Sequence, residues 1–501
     1  MFASRISSAI PSLLTFVFTL LPACRGADST SPDSVVWGAP LGGGVGAPTT
    51  TPPPVAAEVV GAAFEPAPLT PLLPASMQEA AARLTEAATG STTAWDRLAF
   101  MCDTFGHRLS GSKALEDAID WAVDTLKADG MSNVRREKVM VPKWVRGRER
   151  ARVLSPVRRD LSILGLGGTV GTAGIRAEVA VVQTLADIAK EGEALRGKII
   201  VINQPMPTYD HEHRDPGYGQ TVKIRWSGAV EGAKVGAKAV LIRSVTAHSL
   251  GAPHTGSMGY DDAHKKIPTA ALSVEDAEYL ARAVKRGPVK LELKLGARSF
   301  PDVESANVVA ELPGRERPGE VVLIGAHIDS WDVGQGAHDD GSGVLMAMDA
   351  ARMLKQLGLI PRRTIRVVLF TNEENGLRGG TAYFEAHKGD NHVAAIEADT
   401  GSGAPQGFGV VGGPENAAAL SVFAPLFEGL GASAIRQGRG GADIGPLTRA
   451  GVLSLSVAPD TSHYFDYHHS AADTVDKVNP DYLQRNAAAM ALMAYVLAER
   501  E

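Results

Sequence analysis

The chain holds only two cysteines in 501 residues, Cys24 and Cys102. That scarcity excludes a disulfide framework and a metal centre built from thiolates, so the fold must stand on its hydrophobic core, which a chain of this length can supply. Positive charge is not in excess either: 50 Lys and Arg against 56 Asp and Glu leave a net charge of −6. A chain of this balance offers no electrostatic footprint for nucleic acid. One local basic run, residues 146–159, interleaves its arginines with Val and Leu and reads as the solvated face of a strand. No internal repeat is evident.

What is present begins with an N-terminal apolar stretch of about 15 residues after Arg5, too short and too abruptly ended to span a bilayer. It reads as a secretory signal over residues 1–24 and predicts an exported protein. The stretch closes on Leu21-Pro22-Ala23-Cys24, similar to a bacterial lipoprotein box, so two fates stay open: a lipid anchor to the membrane at Cys24, or plain secretion after cleavage a few residues later. Residues 25–76 are rich in Pro, Gly, Ala and Thr without periodicity and read as a tether.

The fold class expected from the remainder is α/β: a mixed central sheet flanked by helices, interrupted by a β-rich insert. Leu115, Ala118, Ile119, Ala122 and Leu126 recur at helical spacing after Ser112, a cap, and before Gly130, a stop. Residues 160–298 change to short strand-like runs separated by Gly and Pro and form the insert. Strands and helices alternate again in 299–501, which with 77–159 makes the main domain.

In such sheets, function gathers where strands end. Four loops qualify: one with His327, Asp329 and Asp332, one with His338, Asp339 and Asp340, the pair Glu373-Glu374 after RTIRVVLF, and Asp399 after AAIEA. Each acid alone could be a helix cap. Crowded at one sheet edge, they would raise each other's pKa unless a cation were shared, and nearby histidines with no usable thiol favour zinc. His107, by contrast, reads as structural.

The motifs GAHIDS, GAHDDGSGV, FTNEENGLRG, EADTG and YHHSAADT, in this order, resemble those of the co-catalytic di-zinc metallo-exopeptidase family, most closely its carboxypeptidase Q branch. The insert resembles a protease-associated domain. The resemblance implies two Zn2+ per subunit: His327 and Asp399 on one ion, Glu374 and His469 on the other, and Asp339 bridging. It implies a metal-activated water with Glu373 as general base, and Asp329 orienting His327. His469 is preferred over His463 and His468 because the family places this ligand directly before Ser or Thr. His338 stands where relatives commonly carry Asn, read either as a neutral replacement or as an added donor. Tyr464 and Tyr467 both remain open as electrophiles, as does the loop RGGADIGP. The function so implied is hydrolysis of dipeptides or short peptides. Aminopeptidase polarity and a metal-free binding protein are the alternatives, and a homodimer is expected only because the family contains dimers.

Overall fold

The computed structural model describes residues 73–500. The expected signal, Cys24 and nearly all of the tether lie outside them. Among the described residues no helix is long and apolar enough to cross a membrane.

Two eight-stranded sheets organise the described chain. The first runs, from edge to edge, Ser132–Val145, Arg298–Leu312, Arg363–Phe370, Arg317–His327, Asn391–Glu397, Leu453–Ala458, Gly407–Val410 and Ala434–Gln437. Its four central strands are parallel, with His327 in register with Phe370, and Glu397 with both Gly325 and Ser456. Their carboxyl ends therefore emerge along a single edge. Arg363–Phe370 is buried along its whole length, as its run of β-branched and apolar residues requires of a strand covered on both faces.

The helices Ser342–Gln356 and Pro480–Glu499 pack on one face with three helices from the N-terminal part. Pro480–Glu499 is apolar nearly all round after its first turns and is buried from Asn486 to Ala498, as such a helix must be. Ser112 caps Lys113–Ala128 by accepting from the Leu115 N–H, and the five expected apolar positions of that helix are all buried. A smaller cluster built on Phe370, Tyr383, Ile444 and Leu447 covers the opposite face.

The second sheet belongs to the insert, and it starts earlier than expected. Glu149–Ser155 lies before residue 160 yet pairs with Lys290–Leu295 in the second sheet, because its alternating Ala151 and Val153 fill that sheet's core. Arg150 and Arg152 on its outer face meet Asp160, as a solvated strand face predicts. Arg146 breaks that expectation. It is buried and grips Asp332 through Nε at 2.9 Å and Nη2 at 2.5 Å, joining the start of the insert to the loop after His327. The chain crosses between the sheets at Gly147 and Gly296, where a Cβ on Gly147 would come within 2.6 Å of the Gly296 carbonyl oxygen.

Arg108, in a segment read only for the exposed His107, is fully buried. Its guanidinium donates to the carbonyls of Gly106, Ile328, Gln335 and Gly336, and its N–H donates to Ser330 Oγ. It thus knits the loop that follows His327. Replacing it orphans several buried carbonyls at once, so Arg108→Met is expected to lower the unfolding free energy by about 3 kcal/mol or more, read from guanidinium denaturation midpoints. A variant as stable as wild type would remove Arg108 from this role.

Candidate metal centre

His327 ends its strand and is buried. Its Nδ1 lies 3.1 Å from the Asp329 main-chain carbonyl, while the Asp329 carboxylate is 3.7 Å away and accepts instead from the Glu373 N–H and Ser110 Oγ. The ring is therefore held by a main-chain carbonyl, and the Asp329 side chain holds the backbone of Glu373. With Nδ1–H donating, the neutral form of the ring offers its Nε2 electron pair to a metal. That nitrogen points at Asp339 Oδ1 and Asp399 Oδ1, each at 3.3 Å.

Asp339 faces the other way with its second oxygen. Its Oδ2 lies 3.2 Å from His469 Nε2, and Glu374 Oε2 lies 3.0 Å from the same nitrogen. The structure thus brings together all five residues singled out as ligands, in two groups sharing Asp339. Asp339 Oδ2 and Glu374 Oε1 are buried without a hydrogen-bond partner. Buried acceptors without partners are unfavourable in a dry site, and with the His327 and His469 rings beside them they make a donor set that fits a cation.

Against the pull of burial, the surrounding carboxylates hold His327 well above the ordinary histidine range and His469 at about 9, so a cation would take the place of their protons. Burial, and then the Asp339 charge, push Glu374 up to about 7. Burial lifts Glu373 well above the carboxylate range, with the Asp399 and Glu374 charges adding to it. Cations bound among these groups would reverse those shifts and keep the carboxylates ionised.

Of the remaining candidates, His463 and His338 are engaged elsewhere, while His468 lies within ligand reach of Asp339 and His469, and Asp340 within reach of His327 and Asp399. His463 is exposed and pairs with Asp466, away from the cluster. His468 stacks on His469 with centroids 3.5 Å apart, but its Nε2 is 3.6 Å from Asp339 Oδ2. Asp340 also approaches His327 and Asp399, yet its two oxygens accept the N–H groups of His327 and Gly343. His338 accepts from the Ser402 N–H at Nδ1, donates to the Lys477 carbonyl from Nε2 and stacks on Tyr467, so its ring is fully engaged outside the cluster. Tyr464 lines the cleft with Asp339, Glu374, Asp399 and His469, whereas Tyr467 does not.

Several supports escaped the sequence reading. Asp473 accepts the N–H groups of His338 and Asp339 and fixes the bridging segment. Glu397 accepts the N–H groups of Asp443 and Ile444 and holds the loop 439–444 at the cleft. The insert also reaches in. The Thr255 carbonyl lies 3.3 Å from His469 Nδ1, the Thr255 N–H donates to the His469 carbonyl, and His254 Nδ1 donates to the His468 carbonyl at 2.7 Å. Burial pushes His254 down to about 4, so it stays a neutral donor. Arg225 Nη1 sits 3.2 Å from His469 Nδ1 and Nη2 donates to the Tyr218 hydroxyl. No sequence spacing links these residues to YHHS; only the fold does.

Comparison with known proteins places this arrangement. The pattern of peptidase family M28 matches residues 307–494. Carboxypeptidase Q of Xenopus laevis is 42% identical over 412 residues, covering 81% of this chain and 86% of that protein. Human carboxypeptidase Q is likewise 42% identical, covering 81% and 85%. Among solved structures, a peptidase M28 precursor from Shewanella amazonensis SB2B superposes with a TM-score of 0.80 at 37% identity, over 85% of this chain and 97% of that one. BSAP, a zinc aminopeptidase from Bacillus subtilis, shares the fold with a TM-score of 0.61 at 21% identity, over 81% and 95%. The chain belongs to peptidase family M28 and is accordingly a hydrolase, a metallo-exopeptidase.

Proposed function

We propose that the chain is a zinc-dependent exopeptidase acting on dipeptides or short peptides, with carboxypeptidase polarity like the carboxypeptidase Q proteins it resembles. The observation that carries this reading is Asp339, a buried carboxylate whose oxygens face two separate imidazoles, each flanked by a further acid, on the floor of a cleft of ≈ 640 Å³. His327 and Asp399 would hold one zinc ion, Glu374 and His469 a second, and Asp339 both. Imidazole and carboxylate donors without thiolate suit catalytic zinc, and the related Bacillus fold is that of a zinc aminopeptidase. When bound, the ion pair acidifies a water and polarises the scissile carbonyl.

The protein's own groups supply the rest. Glu373 lines the cleft, its N–H fixed by Asp329, where it takes the proton of the attacking water and passes it to the leaving amine. Tyr464 lines the same cleft, and burial with the charges of Asp339 and Asp399 keeps its hydroxyl protonated, so it donates a hydrogen bond to the developing oxyanion. The insert closes one wall through Tyr218, Arg225 and Trp226, and its segment 254–255 braces His469. We place the enzyme outside the cytoplasm, on the strength of the N-terminal signal and its lipoprotein-like Cys24.

Three outcomes follow. Glu373→Gln is expected to lower kcat by about 10²- to 10⁴-fold while zinc content measured by plasma mass spectrometry stays unchanged; full activity would dismiss Glu373 as the base. His469→Ala is expected to bring bound zinc from two ions per chain to one, and His468→Ala to leave it at two; the reverse pattern would exchange their roles. Against a panel of dipeptides and end-blocked tripeptides, blocking the carboxylate should abolish cleavage. Loss on blocking the amine instead establishes aminopeptidase polarity, and hydrolysis that persists under exhaustive chelation excludes the metal mechanism.

A further inference from the structure

Beside the metal cleft runs a second groove of ≈ 290 Å³, and the two share Thr400, Arg439 and Ser456. Thr400 directly follows Asp399, and Ser456 stands in register with Glu397, so the groove opens one residue away from the proposed ligands. The two spaces differ in charge. The cleft carries five carboxylates, Asp339, Glu373, Glu374, Glu397 and Asp399, beside Arg225, Arg439, His468 and His469. The groove is lined by Arg214, Arg436, Arg439 and His213 and by no carboxylate at all.

The wall is also built from both halves of the chain. Arg214 belongs to the insert, has a left-handed φ of 54°, and donates from Nη1 to Gln406 Oε1 at 2.6 Å on the other side. Non-glycine residues rarely adopt that conformation, so the turn is held by its surroundings. Arg436 projects from the strand Ala434–Gln437 and is exposed. The main chain of Arg439 is fixed by Ser456 Oγ, which donates to its carbonyl at 2.7 Å. His213 is answered by Asp210 at 2.8 Å, so Arg214 and the exposed Arg436 are the donors an anion would meet. Guanidinium forks match carboxylates in geometry as well as charge.

We propose that this groove is a subsite for a carboxylate carried by the peptide substrate, gripped by Arg214 and Arg436 with Arg439 at its junction with the cleft. The inference rests on the exopeptidase reading above and adds the chemical class of substrate: peptides bearing a negative charge close to the scissile bond. An extended residue advances about 3.3–3.6 Å, so a group one or two residues from a bond held over the metal floor reaches the groove. The carboxylate has two sources, an Asp or Glu side chain or the free α-carboxylate.

The test uses the full-length, zinc-loaded enzyme and di- and tripeptides that differ only by Glu against Gln at each position, each with a free or amidated C-terminus. Wild type is expected to favour the charged member in kcat/KM by about tenfold, a modest factor because the arginines are exposed. In the Arg214→Gln/Arg436→Gln double variant that ratio should fall toward one. A fall in the Glu-to-Gln ratio assigns the groove to an acidic side chain, and a fall in the acid-to-amide ratio assigns it to the α-carboxylate. Arg436→Glu should raise the Lys-to-Gln ratio, a gain that misfolding cannot mimic. If the neutral peptides are cleaved and every ratio is the same in wild type and variants, the subsite is overturned alone. If wild type cleaves none of the peptides, the exopeptidase reading fails and takes the subsite with it.

Discussion

The arrangement of this protein turns on the need to keep several carboxylates charged in a buried place. Asp339, Glu374, Asp399 and Glu373 converge where four parallel strands end; lost solvent and neighbouring acids push Glu373, Glu374 and Asp399 up, while against the cost of burial His327 and His469 hold Asp339 down. Nothing in the apolar layers around them can answer that charge; the histidines and the proposed cations can. The structure accordingly devotes many of its polar contacts to holding backbone, not to neutralising acids. Asp473 fixes the amides of residues 338 and 339, Glu397 those of 443 and 444, and Asp329 that of 373. Rigid supports of this kind hold catalytic groups at productive geometry.

Much of this was legible in the sequence, and for a physical reason. A buried parallel strand must be apolar along its length, so the acids that interrupt the pattern in TNEEN, HDDGSG and EADTG stand out at strand ends. The amphipathic helix Lys113–Ala128 was visible through its period, its cap and its stop. His327, Asp339, Glu374, Asp399 and His469 were named on family resemblance, and the fold gathers them. What escaped notice was long-range and had no pattern to betray it. Arg108 reads as a surface residue until the loop 328–336 wraps round it. Arg146 sits in a run of charges whose other arginines lie at the surface, yet it turns inward to Asp332, with the Glu149 side chain buried beside it. The strand Glu149–Ser155 joins the second sheet although it precedes residue 160, because strand periodicity says which face is buried but not which sheet it joins.

The insert is the part whose meaning changes most between sequence and structure. Read along the chain it is a separate module with its own core. In space it supplies the carbonyl beside His469, a neutral histidine behind His468, and one wall of the cleft. Trp331, from the loop after His327, packs against Gly167 of the insert so closely that any side chain there would collide with the indole, and the same ring meets His469 edge-on at 5.7 Å. The proposed basic groove likewise needs Arg214 from the insert and Arg436 from the main sheet.

The crossing at Gly147 and Gly296 gives this dependence an architectural consequence. Entry and exit of the insert are neighbouring strands, Val145 in register with Arg298 on one side and Glu149 with Leu295 on the other. Topologically the module is a graft on one hairpin, the kind of appendage a lineage can acquire or discard without rethreading the parent sheet. Here the scion has grown into the stock: pruning it at those two glycines would leave a closed sheet but strip the backing from one of the imidazoles the reaction is proposed to need.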